Sequence, residues 1–274
     1  MSDDNNEPTP AYLNAKFVTS RDGRPLRILS EYLEPAARFE RYEISDTIVF
    51  YGSARILSAE QAEKNLTAVK AKGEDTAVAE QALALSRYYE DARELARRLT
   101  VWSKNLEGTE RRFVICTGGG PGIMEAANRG ASDAQGMNAG LNIQLPFEQH
   151  ENPYITRELT FEFNYFFMRK FWFMYLAKAL VIFPGGFGTL DELFEALTLE
   201  TTGKLRKRMP VVLYGTDYWD KVFNLDALVE FGTITQDDLD VIHKTNSIDD
   251  AFEHITRELT ELFIEEPGGR NELV

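Results

Sequence analysis

The sequence predicts an α/β fold: one doubly wound, Rossmann-like, mostly parallel sheet with helices on both faces, in a single domain preceded by an N-terminal helical extension. From residue 112 onward, short apolar runs alternate with longer amphipathic runs. This alternation is typical of a parallel sheet that is covered on both sides. Glycine-rich segments follow three of the apolar runs, as expected at the carboxyl edge of such a sheet, where ligands bind.

The N-terminal elements are expected to differ from the rest of the chain. Residues 25–43 suggest one or two short helices that are broken near Pro35, because proline removes a helical hydrogen bond. The apolar run 47–51 predicts the first strand, and the periodic run 76–105 predicts one long helix. We divide the chain into a disordered tail at 1–15, an extension at 16–45, the α/β domain at 46–266 and a C-terminal tail at 267–274.

Strands and helices then follow each other regularly. We expect strands at 112–116, 139–144, 178–183, 209–214 and 241–243, and helices at 121–135, 163–177, 189–203, 217–231 and 248–264.

Composition excludes several classes of function. The net charge of −14 argues against binding to nucleic acid, which requires a basic face. The single cysteine, Cys116, is expected to be a small buried hydrophobe, and neither it nor the three histidines show the spacing of a metal site. The polar N-terminus is unlike a signal peptide, and the apolar stretch 171–183 is too short to cross a membrane. We therefore expect a cytoplasmic protein without metal or membrane partner.

The turn 184–192, Pro-Gly-Gly-Phe-Gly-Thr-Leu-Asp-Glu, carries the strongest functional signal. It joins a predicted strand to a predicted helix, and the N–H groups at such a helix start favour an anion. Neither this turn nor 117–125 contains the dinucleotide fingerprint or the P-loop motif, so a monophosphate is a better candidate than NAD or ATP.

Structural interpretations compete with each functional one. Thr189 and Glu192 have the spacing of a capping box, and glycines 118–120 could simply allow tight packing of a strand against a helix. Arg169 and Lys170 could occupy the solvent side of an aromatic core helix, although an arginine among rings suits a partly desolvated anion site. On its own, Glu158 has the character of a surface charge.

Taken together, these motifs resemble one family. Residues 184–192 match the Pro-Gly-Gly-x-Gly-Thr-x-x-Glu motif of the LOG (LONELY GUY) family of cytokinin riboside 5′-monophosphate phosphoribohydrolases, long labelled lysine decarboxylases. Met168-Arg169-Lys170 looks like its Met-x-x-Arg-Lys segment, with Phe166 at the methionine position. Gly52-Ser53 and residues 118–124 resemble the two earlier loops of the family.

The resemblance implies hydrolysis of the N-glycosidic bond of purine or cytokinin nucleoside 5′-monophosphates, without a cofactor. It implies a homodimer or higher homo-oligomer, with helix 163–177 as a candidate interface. Arg169 and Glu192 would be catalytic. Substrate contacts would come from Ser53, Gly119, Gly120, Glu158, Lys170, Gly185, Gly186, Phe187, Gly188, Thr189, Leu190, Asp191 and Thr198.

Two alternatives stay open. Related folds serve as molybdenum-cofactor carriers, which bind a phosphate-bearing ligand without chemistry. A pyridoxal-dependent lysine decarboxylase would need a lysine such as Lys170 or Lys178, although no pyridoxal-site pattern surrounds either residue.

Overall fold

A computed structural model describes residues 9–108, 111–145, 151–205 and 208–265. Within them, seven strands form one sheet in the order β4-β3-β2-β1-β5-β6-β7, and every neighbouring pair is parallel. The strands are β1 Thr47–Tyr51, β2 Val114–Thr117, β3 Asn138–Ile143, β4 Thr160–Phe163, β5 Ala177–Ile182, β6 Val211–Tyr214 and β7 Ile242–Thr245. The predicted doubly wound fold is confirmed, and its strand order reverses between β1 and β5.

Helices cover both faces of this sheet. They are α1 Ala15–Thr19, α2 Arg24–Arg41, α3 Ala59–Lys72, α4 Ala77–Leu85, α5 Arg87–Lys104, α6 Ile123–Asp133, α7 Phe166–Leu176, α8 Phe187–Thr201, α9 Thr216–Val222, α10 Leu225–Glu230, α11 Gln236–Leu239 and α12 Ile248–Thr260.

The core has two layers, because alternate residues of each strand point to opposite faces. On one face, Val49, Tyr51 and Ile182 pack with α7 and α8. On the other, Ile48 and Phe50 pack with α5, α6 and α12.

Several predicted boundaries are wrong. Pro35 does not break α2, since it is buried with Phe39 in the same helix, and packing offsets the missing hydrogen bond. The long helix expected at 76–105 is two helices that meet at Ser86, whose hydroxyl donates to the carbonyl of Leu83 and tightens the turn. Helix α3 and strand β4 were not predicted.

The N-terminal extension is attached to the sheet by α2. The Glu31 carboxylate accepts hydrogen bonds from the backbone N–H groups of Asn164 (2.9 Å) and Tyr165 (3.2 Å). The Trp172 indole donates to the Glu31 carbonyl at 2.9 Å. Because α7 has no side-chain cap of its own, Glu31 supplies acceptors where α7 begins.

The two predicted tails lie largely outside the described residues, which start at 9 and end at 265. Within the expected tail 1–15, Ala11–Leu13 forms a 3₁₀ turn and α1 starts at Ala15. None of the helices described has both the length and the apolar character needed to cross a membrane.

Candidate active site

A cavity of about 310 Å³ opens at the carboxyl edge of the sheet, where the strand order reverses. This is the position at which open α/β sheets bind ligands. Three strand-end loops and the first turns of α7 and α8 surround it. Its lining consists of Tyr51, Gly52, Ser53, Ala54, Arg55, Gly118, Met124, Ile143, Leu145, Phe166, Arg169, Phe173, Gly186, Gly188, Thr189 and Glu192.

The turn 184–192 forms the polar end of the cavity. Helix α8 begins at Phe187, two residues earlier than expected, with Gly186 as its N-cap and no described side chain bonded to its first N–H groups. The expected capping box is therefore wrong. The N–H of Ser53 donates to the Pro184 carbonyl at 2.9 Å, which fastens this turn to the end of β1. Uncapped N–H groups at the start of a 15-residue helix favour an anion in the cavity.

Thr189 and Glu192 thus lie inside α8. A Cβ atom on Gly185 would lie 2.1 Å from the Thr189 Oγ1, so this glycine is required by close packing within the turn. Cβ atoms on Gly186 or Gly188 would meet nothing within 4 Å, although both residues line the cavity. The absence of side chains at these two positions leaves room for a ligand to approach the backbone.

Arg169 and Glu192 face each other across the cavity floor. The Arg169 Nη2 lies 3.6 Å from the Glu192 Oε1, and Glu192 is only 4% exposed. The guanidinium lies 5.1 Å from the ring centroid of Phe166 and 5.6 Å from that of Phe173. Arg169 Nε and Glu192 Oε2 are both buried and have no hydrogen-bond partner among the described residues. The pair therefore retains at least one buried donor and one buried acceptor for a ligand.

The protonation of Glu192 is set mainly by burial. Burial raises the pKa of this carboxyl to about 7, although the positive charges of Arg169 and Lys170 act in the opposite direction. A carboxyl that titrates near neutral pH can serve either as a proton acceptor or as a stabiliser of positive charge.

Tyr51, the last residue of β1, also lines the polar floor of the cavity. It was not predicted from the sequence as a site residue. Its hydroxyl is buried and has no hydrogen-bond partner in the described part of the chain. Its ring meets Phe173 edge-on at 5.1 Å. Burial and the charge of Glu192 both raise the pKa of this phenol, so it stays protonated. The available signal was its place at a strand end, directly before the glycine of Gly52-Ser53.

Lys170 lies outside the lining of the cavity. Its Nζ lies 2.8 Å from Asp191 and 2.9 Å from Glu195, both on α8. Lys170 thus links α7 to α8, while its neighbour Arg169 turns into the cavity.

The second glycine loop has a more structural role. Gly118 lines the cavity, whereas Gly119 and Gly120 do not. The Asn152 side-chain amide donates to the carbonyls of both Gly119 and Gly120 at 3.1 Å. Gly119 has φ +73°, and a Cβ there would overlap Asn142. Buried amides thus determine the shape of this loop, and no motif in the sequence had indicated them.

The remaining predicted residues do not line the cavity. Glu158 is exposed in a 3₁₀ turn before β4, toward the amino end of that strand, and Thr198 donates its hydroxyl to the Phe194 carbonyl on α8. Phe187 is 93% exposed, and Leu190 packs against the core. The apolar wall was not predicted from the sequence; it consists of Met124, Ile143, Leu145, Phe166 and Phe173.

Comparison with solved structures finds distant similarity. The structural-genomics target TM1055 is 19% identical, with 77% of this chain and 99% of that chain covered and a TM-score of 0.47. The Moco carrier protein from Chlamydomonas reinhardtii is 19% identical, with 80% and 99% covered and a TM-score of 0.48. The molybdenum cofactor binding protein from Rippkaea orientalis is 16% identical, with 78% and 96% covered and a TM-score of 0.47.

At these identities and TM-scores, the similarity carries no argument about function. A search of curated proteins finds no significant match. A family model described as possible lysine decarboxylase matches residues 124–255, which include α7, the Arg169–Glu192 pair and the glycine turn. Residues 124–255, a little under half of the chain, are thus similar to this LOG-like family, as the motifs in the sequence predict.

Proposed function

We propose that the protein hydrolyses the N-glycosidic bond of purine nucleoside 5′-monophosphates, giving the free base and ribose 5-phosphate. One observation carries the proposal: a buried carboxyl with a pKa of about 7 faces an arginine in a cavity that also contains an uncapped helix N-terminus. Such a cavity offers separate places for a phosphate, a sugar and a base.

The phosphate fits the polar end. The first N–H groups of α8 and the side chain of Ser53 would donate to its oxygens, and the helix dipole favours its negative charge. Arg55 also lines this cavity and adds a positive charge at its exposed rim. The base would then lie against the apolar wall, where the half-exposed ring of Phe166 offers a surface for stacking.

The chemistry would take place between these two ends. As the C1′–N bond breaks, positive charge develops on the ribose, and the ionised Glu192 would stabilise it or accept a proton from the attacking water. The water oxygen forms the new bond to C1′, and a proton ends on the nitrogen of the departing base. Arg169, held beside Glu192, would donate to the phosphate or to the base.

A pyridoxal-dependent decarboxylase fits the cavity poorly. Pyridoxal phosphate requires a lysine amine for its Schiff base, and none of the described lining residues is a lysine. Lys170 is paired with two carboxylates on α8, and Lys178 is buried near the amino end of β5.

A molybdenum-cofactor or nucleotide carrier is the non-catalytic alternative. A carrier that only binds a phosphate-bearing ligand does not require a carboxyl that titrates near neutral pH, whereas hydrolysis of a glycosidic bond uses one. The position of Glu192 therefore favours the hydrolase. We further propose a homodimer, since Phe166 and Phe167 of α7 are about half exposed, at 52% and 50%, and offer apolar surface to a second copy.

The test compares two carboxylates on one helix. Glu192→Gln should lower base release from AMP roughly 10²–10⁴-fold, because it removes the charge from the cavity floor. Glu195→Gln makes the same chemical change one turn later, outside the cavity lining, and should retain most activity. Chromatography of the free base measures both, with GMP, IMP and CMP as further substrates.

Two results would count against the hydrolase. One is a Glu192→Gln variant that releases adenine at the wild-type rate. The other is a wild-type protein that binds nucleotides tightly and releases base from none of them, which would favour a carrier.

A further inference from the structure

Three polar atoms without partners in the described part of the chain belong to side chains that line one cavity. The Tyr51 hydroxyl, Arg169 Nε and Glu192 Oε2 are each buried and lack a hydrogen-bond partner among the described residues. All three side chains line the same cavity. Phe173 joins them, since it lies 5.1 Å from the Tyr51 ring and 5.6 Å from the Arg169 guanidinium. Buried polar atoms are nearly always paired, so three unpaired ones on side chains that line one cavity indicate a polar ligand group.

The donor and acceptor inventory limits what that group can be. Arg169 Nε can only donate, and an ionised Glu192 oxygen can only accept, whereas the Tyr51 hydroxyl can do both. A single hydroxyl oxygen satisfies all three at once: it donates its proton to Glu192 and accepts hydrogen bonds from Arg169 and Tyr51.

An attacking water matches this arrangement less well. Held by the same three atoms, a water would have both lone pairs occupied by donors, and it needs a free lone pair to form the new bond to carbon. A sugar hydroxyl has no such requirement. In glycoside hydrolysis, moreover, hydrogen bonds to a sugar hydroxyl beside the reacting carbon strengthen in the transition state.

We propose that Tyr51 is a further substrate-binding residue, whose hydroxyl donates a hydrogen bond to one ribose hydroxyl while that hydroxyl donates to Glu192. This rests on the proposed function, because it takes a nucleoside monophosphate as the ligand. This contact would make the protein prefer ribonucleotides to deoxyribonucleotides that lack this hydroxyl.

Tyr51→Phe tests the proposal, since it removes only the hydroxyl. We expect kcat/KM for AMP to fall roughly 10- to 100-fold, as for loss of a hydrogen bond in a site that includes a charged group. The melting temperature should stay the same or rise, because the variant removes a buried hydroxyl that has no partner in the folded protein.

Tyr214→Phe is the matched control. The Tyr214 hydroxyl is also buried, but it lies 3.0 Å from an Asp91 carboxylate oxygen and 3.0 Å from the Asn246 carbonyl, outside the cavity lining. This variant should lower the melting temperature and leave kcat/KM for AMP unchanged. A merely structural Tyr51 would behave like Tyr214, and that result overturns the proposal.

Deoxynucleotides identify the partner of the hydroxyl. Wild-type protein and Tyr51→Phe are compared on AMP, 2′-deoxyAMP and 3′-deoxyAMP. If Tyr51 binds one ribose hydroxyl, Tyr51→Phe should lower kcat/KM less for the analogue that lacks that hydroxyl than for AMP. The effect of the substitution and the effect of the missing hydroxyl are then not multiplicative. Equal losses from Tyr51→Phe on all three nucleotides would overturn the assignment.

Binding of the sugar phosphate separates this proposal from the proposed function. Calorimetry measures the affinity of ribose 5-phosphate and of its 2-deoxy and 3-deoxy forms. If the wild-type protein releases no base, the proposed hydrolysis is wrong. The Tyr51 contact is still supported if Tyr51→Phe binds ribose 5-phosphate less tightly than wild type does and binds one of the two deoxy sugars with the wild-type affinity. Equal affinities of variant and wild type for all three sugars would overturn it.

Discussion

Two buried ionic clusters lie at opposite ends of the same strands. Asp46, directly before β1, is 2% exposed, and its carboxylate accepts hydrogen bonds from Arg112 Nε at 2.7 Å and from the N–H of Phe113. Lys178 of β5 is buried near them and contributes to the charge balance of Asp46. Every carboxylate oxygen of Asp46 thus has a partner.

The cluster at the carboxyl ends of the strands, Arg169 and Glu192, has buried polar atoms without hydrogen-bond partners among the described residues. Arg169 and Glu192 approach only to 3.6 Å, and each retains a buried atom without a partner in the described chain. Burial raises the pKa of both Asp46 and Glu192. Both clusters therefore contain buried charge, and they differ in whether all their buried polar atoms have hydrogen-bond partners. The complete cluster stabilises the sheet, whereas the incomplete one retains hydrogen-bonding groups for the ligand that we propose.

Asp46→Asn should have the largest effect on stability. It removes the negative charge beside Arg112 and the buried Lys178, and breaking a buried ionic pair costs about 3–5 kcal/mol. Urea unfolding measures the loss, and base release per folded molecule should stay at the wild-type level. An unchanged midpoint, or a lost activity in a stable variant, would contradict the division between the two clusters.

Glu192→Gln should change how stability depends on pH. The pKa of Glu192 is raised to about 7 by burial, so the folded protein binds a proton more tightly than the unfolded chain. This favourable contribution is complete below about pH 4.5 and is lost as the pH rises to about 7. Relative to wild type, the variant should therefore gain stability over this range, by at most about 3 kcal/mol at about 1.4 kcal/mol per pH unit.

Unfolding at a series of pH values gives this difference directly. Parallel stability curves for the two proteins would show that Glu192 titrates normally. If the ionised carboxylate does the chemistry, kcat/KM of the wild-type protein should also rise with pH through about 7.

Two glycines of one turn should give the smallest and most selective effects. Gly188→Ala adds a Cβ in open space within a helix, so stability should hold or rise by about 0.5–1 kcal/mol. Because Gly188 lines the cavity, we expect its added methyl group to lower the affinity for ribose 5-phosphate about tenfold, or about 1.4 kcal/mol.

Gly185→Ala is the counterpart outside the cavity lining. Its Cβ would overlap the Thr189 side chain, and such overpacking costs about 1–3 kcal/mol. If Gly188→Ala lost stability and kept its affinity, the backbone of this turn would not be the phosphate site.

The sequence predicted those features that depend on local order along the chain. The alternation of apolar runs gave the parallel sheet, and the turn 184–192 was correctly placed between a strand and a helix. The different surroundings of Arg169 and Lys170 follow from the rotation of about 100° per residue in a helix. The role of Arg169 as a catalytic residue remains a prediction.

Features that depend on contacts between strands far apart in the chain could not be predicted from the sequence. The capping box failed because α8 begins at Phe187, which leaves Thr189 and Glu192 inside the helix. The preceding turn is bound at Pro184 by Ser53, more than 130 positions earlier in the chain. Tyr51 looks like any strand residue until β5 and α8 lie beside it. The amide of Asn152 could not be matched to the glycine loop, because its partners are more than 30 residues earlier.

The N-terminal helix α2 also has a consequence for self-association. Strand β4 is at the end of the sheet, where unpaired backbone groups are a template for strands of other molecules. Arg38 of α2 donates to the carbonyl of Thr160 at 2.6 Å and lies 4.3 Å from the ring centroid of Phe161. A variant that lacks the residues before 46 would lose this cover and expose an aromatic strand edge that is prone to aggregation. The extension thus protects the protein from assembling with itself through its sheet.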